Sequence, residues 1–234
     1  MTVNLYGTRI VEPDDETIRQ LVELKHSRDW GDELDELERL QAFTYAQIPR
    51  KYWGLSTKLI QDRKVVGKLN KYILKIEKFV GEQHLGLLFH GDPGVGKTFL
   101  AAHVSMRAIE AGLSVFFYDY QDFRTDVLTN AKDEKRQARI KALVDQADVL
   151  VLNDFNFVKT TPKERTVLQS RMYGICRQRQ DVGAMIVVHR GPGKQGPLDE
   201  DTMAVLKEFV YPMNIKGTDL RDGQAQQKFD SVLG

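Results

Sequence analysis

Residues 91–98 read GDPGVGKT, a spacing of glycines, lysine and hydroxyl that suits the cradling of a phosphate chain. Gly91, Gly94 and Gly96 let the backbone curl closely enough for its N–H groups to point at phosphate oxygens. Lys97 is long enough to reach the β- and γ-phosphates, and the Thr98 hydroxyl can ligate Mg²⁺. Asp92, Pro93, Val95 and Phe99 complete the stretch that would wrap the nucleotide. The apolar run LGLLFH enters the loop, and KTFLAAHVSMRAIEAG leaves it with helical character, closed by Gly112. A helix that begins at the loop adds its positive end to the site. Strand, loop and helix in this order predict a nucleoside triphosphate bound with Mg²⁺.

A second run, DVLVLNDF at residues 148–155, ends in Asn153 and Asp154, where an ATP-hydrolysing site normally carries two acids. Taking Val149 to Leu152 as the buried stretch sets Asn153 first and Asp154 second. Sliding the register by one would bury the amide among apolar positions and put Phe155 in the place of an acid. That is physically worse, because a buried amide needs partners. The glycine stretch GPGKQG (191–196) formally fits a dinucleotide fingerprint. Pro192, Pro197 and the lack of a following helix make it a surface loop.

These residues need a frame to hold them. HLGLLFHG (84–91), SVFFYDY (114–120), DVLVLND (148–154) and AMIVVHR (184–190) are short apolar runs of the kind found in buried parallel strands. Helical segments separate them, so the chain reads as repeated βα units around a parallel sheet. Thr161, Pro162 and Glu164 form a capping-box start for one helix. A last strand is expected in YPMNIKG (211–217). Upstream, ETIRQLVELKHS and DELDELERLQAF have helical patterning, and Pro49 breaks it. From Lys58 to Val80 an apolar stripe opposes a lysine face, which predicts a longer helix.

With 234 residues, 41% hydrophobic and 29% charged, the chain can bury one sizeable core and room remains for a small appendage. No apolar run approaches the roughly 18–20 residues that span a bilayer, and the start lacks a signal-peptide layout. The single Cys176 excludes an internal disulfide and a multi-cysteine zinc ribbon. A cytoplasmic protein is expected. Residues 12–39 carry eleven acids against four bases, a net of −7, and residues 50–78 nine bases against two acids, a net of +7. Either block reads as a solvated helix face; the acidic one also suits a basic protein surface, and the basic one phosphates.

IPRKYW (48–53), GDPGVGKTFLAAHV, DVLVLNDF and YPMNIKGTDLR together resemble the DnaC/DnaI-type helicase loaders and the related IstB-type transposition ATPases of the AAA+ class. The resemblance covers roughly residues 45–221. It implies an α/β AAA+ P-loop NTPase with a five-stranded parallel sheet flanked by helices, and no sizeable C-terminal lid. Residues 1–44 would be a short helical segment that grips a partner, 45–221 the ATPase domain and 222–234 a tail. The implied partners are copies of the chain in a ring or spiral, single-stranded DNA, and a replicative helicase. In the transposition branch they are duplex target DNA and a transposase. The implied cofactors are ATP and Mg²⁺.

The family places a helical insertion after the second strand, facing nucleic acid. The matching stretch has five bases and two acids between Lys132 and Lys141. Arg124, Lys132, Lys135, Arg136 and Arg139 are the implied phosphate contacts, with Phe123 as a stacking residue; a solvated helix is the plain alternative. In the family the first acid holds Mg²⁺ through water and the second orients the attacking water. That puts Thr98, Asn153 and Asp154 at the metal and leaves Asp154 as the water-orienting base. The strand AMIVVHR offers His189 where a small polar sensor is usual. DTMAVLKEF offers Lys207 where an arginine normally reaches the neighbouring subunit's nucleotide, and lysine lacks the planar two-pronged contact. Arg171, Arg177, Arg179 and Arg190 are unranked substitutes, and Arg221 matches an arginine common at the end of the family's domain. These departures predict an ATP-binding switch with slow or absent turnover, because hydrolysis depends most on metal and water placement.

Overall fold

The computed structural model of the chain describes residues 2–3, 9–10, 36–155, 160–189 and 198–221. Thr2–Val3 (β1) and Arg9–Ile10 (β2) pair antiparallel. The main sheet has five parallel strands: Gly86–Gly91 (β3), Val115–Asp119 (β4), Val149–Phe155 (β5), Ala184–His189 (β6) and Val210–Ile215 (β7). Their spatial order is β4-β5-β6-β3-β7. The four apolar runs and the expected last strand all appear, with ends within two residues of those expected.

β3, β4, β5 and β6 are buried on both sides, which is why the sequence shows continuous apolar runs there and not alternation, whereas the edge strand β7 exposes Tyr211, Pro212 and Asn214. Leu87, Phe89, Phe117, Val149, Val151 and Ile186 share one face with Lys97–Glu110 (α3), the helix that leaves the phosphate loop. Leu88, Phe116, Leu150, Leu152, Phe155 and Val187 line the other face. They pack against Pro162–Arg179 (α6) and Glu200–Phe209 (α7). The capping box at the start of α6 is present in full, with proline in the first turn. Gly112 ends the α3 segment in a left-handed conformation (φ 77°). Among the described residues, no helix is long and apolar enough to cross a membrane.

Two upstream expectations change. Glu36–Tyr45 (α1) crosses position 44, and Ala42 and Phe43 join the core of the sheet. The backbone N–H of Phe117 in the edge strand β4 donates to Ala46 O at 2.9 Å. Residues 36–46 therefore pack with the main sheet, and Ala46 caps part of its β4 edge. The helix expected over 58–80 is broken into pieces. Asp62 accepts from Val65 N at 3.1 Å and so starts Arg63–Ile73 (α2). A 3₁₀ turn at Thr57–Leu59 precedes it, and a π turn at Lys78–Glu82 follows. The lysine face is as expected: Lys64, Lys68, Lys71 and Lys75 are exposed opposite buried Val65, Leu69, Tyr72 and Ile76. The upstream helix expected in 16–27, the 191–196 stretch, Arg190 and the residues after Arg221 lie outside the described residues.

Candidate nucleotide site

The C-terminal ends of β3, β4, β5 and β6 lie at one edge of the sheet, where parallel α/β folds place their ligands. Leu88, Val187, Leu152 and Tyr118 form one lateral row across these strands. The polar residues begin one position further on in β4 and β5, at Asp119 and Asn153, and two further on in β3 and β6, at His90 and His189. Gly91, Gly94 and Gly96 have φ of 141°, 79° and 99°, conformations that side chains rarely adopt. A Cβ at Gly91 would lie 2.2 Å from Ile215 O, and one at Gly96 2.2 Å from Ile60 Cδ1. The loop thus demands glycine at all three positions for torsion, and at Gly91, where the neighbour is backbone, for space as well. α3 begins directly at Lys97 with no side chain capping it, the arrangement that leaves first-turn N–H groups to an anion.

Lys97 is buried, and its ammonium donates to Gly91 O at 2.7 Å and Asp92 O at 2.6 Å. Burial and this charge lower the pKa of neighbouring His90. Val95 and Phe99 are buried in the core and anchor the loop, while Asp92 and Pro93 are exposed on its outer side. Thr98 is half-buried on the first turn of α3.

β5 ends in a bulge. Leu152 pairs with Val187 and Phe155 with His189, so two residues of β5, Asn153 and Asp154, stand opposite one of β6. Asp154 takes a left-handed φ of 55°. The extra residue keeps Phe155 in the apolar layer of Leu150 and Leu152 and spares Asp154 from entering it. Asn153, in register with Asp119 of β4, donates from Nδ2 to Asp119 Oδ2 at 2.9 Å. Its Oδ1 is buried and has no hydrogen-bond partner among the described residues. An orphaned oxygen on the residue before Asp154 fits a hydrated hard cation, which binds oxygen donors and keeps several waters. Thr98, Asn153 and Asp154 are the residues that could hold Mg²⁺.

His189 ends β6 half-buried at the same edge, and Lys207 is exposed in the last turn of α7. Arg171 is exposed on α6, and Arg177 donates to Gln180 Oε1 at 3.0 Å. Arg179 is a correction. It is fully buried and donates to four backbone carbonyls, so it cannot reach a neighbouring subunit.

Asp219 is a site neighbour that the sequence did not reveal. Its carboxylate lies against the phosphate loop, where a Cβ at Gly94 would come within 1.9 Å of Oδ1. Leu220 N donates to Gly94 O at 3.0 Å. Hydrogen bonds from the Arg221 side chain and backbone hold the Asp219 carboxyl down to about 2. Arg221 thereby gains a structural partner, and the segment after β7 becomes a wall of the loop. Only the unusual density of glycine in GDPGVG hinted at so close an approach.

The expected DNA-contacting set divides. Phe123, in Tyr120–Leu128 (α4), is 1% exposed and packs against Tyr118 and Phe155, with ring centroids 5.8 and 5.2 Å away. It is a core residue and cannot stack on a base. The resemblance that made it a stacking residue could not show that this face of α4 packs on the sheet. Phe123→Ala is expected to lower stability by about 3–5 kcal/mol in urea unfolding; a stacking residue would instead lose DNA affinity at unchanged stability. Arg124 pairs with Glu164 at 2.9 Å. Arg136, in Glu134–Gln146 (α5), pairs with buried Asp126 at 2.5 Å. Asp126 also accepts from Tyr118 and Asn130 and so pins the α4–α5 hairpin. Arg139 is half-buried. Lys132 and Lys135 stay exposed.

The model of the IstB-like ATP binding protein family matches residues 62–192, more than half of the chain. The chain belongs to this family. The IS21 insertion-sequence ATP-binding protein of Pseudomonas aeruginosa is 28% identical over 167 residues, covering 68% of this IstB-like chain and 59% of that protein. The chromosomal replication initiator DnaA of Helicobacter pylori strain HPAG1 is 29% identical over 131 residues, covering 53% of this chain and 29% of DnaA. The chain thus spans less than two thirds of the curated relatives it matches. Among solved structures, the DnaC helicase loader superposes with a TM-score of 0.59 at 21% identity, covering 72% of this chain and all of that one. DnaA bound to AMPPCP and single-stranded DNA gives 0.56 at 16% identity, covering 80% and 56%. These likenesses establish the AAA+ P-loop fold expected from the sequence.

Proposed function

We propose that this IstB-like chain is an ATP- and Mg²⁺-dependent switch that holds single-stranded DNA and delivers a replicative helicase to it, turning ATP over slowly. The observation that carries the switch is a complete phosphate loop facing an amide, Asn153, at the metal-side position of β5. Binding relies on the loop and survives; hydrolysis lacks a charged group placed directly at the metal water. Asp154 orients the attacking water, and His189 meets the γ-phosphate from the end of β6. Copies of the chain stack so that Lys207 faces a neighbour's nucleotide. The exposed Lys132 and Lys135 on the α4–α5 hairpin take DNA phosphates, and the likeness to the DnaC helicase loader supports a helicase as cargo.

A second reading, an ATPase that selects target DNA for a transposase, is favoured by the family match and the IS21 relative. Copurification from cells separates them: a helicase supports the first and a transposase the second. A monomer with no partner and no DNA affinity contradicts both and leaves a nucleotide-organised adaptor. The DNA surface has its own test. Replacing Lys132 and Lys135 together with alanine is expected to weaken single-stranded DNA binding and to flatten its logarithmic salt slope by about 1.4, two contacts at about 0.7 each. An unchanged slope would move the DNA surface elsewhere.

A further inference from the structure

Asn153 is 5% exposed, and among the described residues its side chain makes one hydrogen bond, from Nδ2 to Asp119 Oδ2 at 2.9 Å. An amide beside a carboxylate has no choice of orientation. Only the NH₂ end can face those oxygens, because the reverse would set unprotonated oxygens in contact. Asp119 therefore fixes which way the acceptor of Asn153 points, and that acceptor, Oδ1, is buried without a partner among the described residues. By strand alternation Asn153 shares the face of Val149 and Val151, and Asp119 that of Val115 and Phe117. This is the face covered by α3, the phosphate-loop helix.

We propose that Asp119 is the positioning residue of the metal site, supplying through Asn153 the negative charge that an acid at the end of β5 would supply directly. The inference rests on reading the loop as an ATP·Mg²⁺ site. Oδ1 of Asn153 accepts a hydrogen bond from a water of the Mg²⁺ shell. The Asp119 carboxylate draws the amide's positive end towards β4 and makes that oxygen a stronger acceptor. The acid has not been lost from the site. It stands one strand away and acts through the amide. Partners of this kind set metal affinity in other sites by about 10–100-fold.

A plainer role competes: Asp119 Oδ1 also caps α4, accepting from Gln121 N at 3.1 Å. Asparagine caps helices as well as aspartate does, so Asp119→Asn removes the charge and keeps the cap. Asp119→Ser, also able to cap, asks the same question if Asp119→Asn folds poorly. The experiment starts with ADP affinity in EDTA; a wild-type chain that binds no nucleotide overturns the site reading itself. Mn²⁺ is then titrated into the ADP-loaded protein, and free Mn²⁺ is followed by electron paramagnetic resonance. The expected result is about 10–100-fold weaker Mn²⁺ binding in Asp119→Asn, with metal-free ADP affinity and thermal midpoint unchanged. The exchanged pair Asp119→Asn/Asn153→Asp is expected to restore Mn²⁺ affinity, because the charge now sits directly at the metal water. Unaltered Mn²⁺ affinity in Asp119→Asn, or no rescue in the exchanged pair, would overturn the proposal.

Discussion

Lys97→Ala is expected to weaken ATP binding by about 100-fold while the chain stays folded. In the structure the ammonium is buried and held by Gly91 O and Asp92 O at 2.7 and 2.6 Å. Those carbonyls hold the side chain against the loop whose N–H groups would face the phosphates. A charge-assisted hydrogen bond contributes about 1.5–3 kcal/mol, and two such bonds to phosphate oxygens correspond to about 3 kcal/mol at the low end, or roughly 100-fold in affinity. Anisotropy of a fluorescent ATP analogue measures the loss. Thermal unfolding serves as the control, because α3 draws its stability from Leu100, Ala101 and Val104 in the core and not from Lys97. Affinity within a few-fold of wild type would mean that the nucleotide sits elsewhere.

Arg179→Ala is expected to destabilise the fold by about 3–5 kcal/mol, the usual effect of removing one partner from a buried charged network. The guanidinium donates to Val144 O at 3.0 Å, Ala147 O at 2.6 Å, Asp148 O at 3.2 Å and Ala184 O at 3.0 Å. Burial pulls its pKa down to about 10, against the opposing pull of the Asp148 and Asp145 carboxylates. It ties the end of α5 to the starts of β5 and β6, at the edge of the sheet opposite the phosphate loop. Gly183 makes room for it: a Cβ there would lie 2.5 Å from Nη2 and 2.7 Å from Asp148 O. Truncation would remove a donor from four carbonyls, of which Asp148 O keeps the Ala184 N–H at 2.9 Å. A urea midpoint lowered with unchanged slope is the expected reading; a wild-type midpoint would mean that water replaces the arginine without cost.

The parts of this molecule that were legible in its sequence are those whose physics is local. A phosphate loop needs its glycines, lysine and hydroxyl within eight residues, so GDPGVGKT announced itself. Buried parallel strands need continuous apolar runs, and a capping box needs Thr161 and Glu164 three residues apart. What stayed hidden depends on register and packing between distant segments. The bulge that turns Asp154 out of the apolar layer is a property of β5 against β6. Asp119 meets Asn153 only because β4 and β5 pair in that register, 34 residues apart in the chain. Asp219 reaches Gly94 only because β7 lies beside β3. Phe123 and Arg179 were misread for the same reason. A phenylalanine on a charged helix and an arginine at a helix end look like contact residues until the core behind them is visible.

The structure also changes what the asparagine at the end of β5 means. From the sequence it is an acid lost from a hydrolytic pair. In the fold it is the buried half of an Asn153–Asp119 pair, bonded at 2.9 Å, whose carboxylate is half-buried at the sheet edge. On the proposed reading, a charge one strand further back would hold a hydrated cation less directly than an acid at the metal water. The proposed binding without rapid cleavage rests on that geometry.

Phosphate release at saturating ATP and Mg²⁺, with and without single-stranded DNA, tests this most directly. The account predicts stoichiometric ATP binding with turnover well below about 1 s⁻¹, the low end of ordinary enzyme rates. Turnover of about 1–10 s⁻¹ in the wild-type chain would contradict it, because the asparagine would then be no obstacle to hydrolysis.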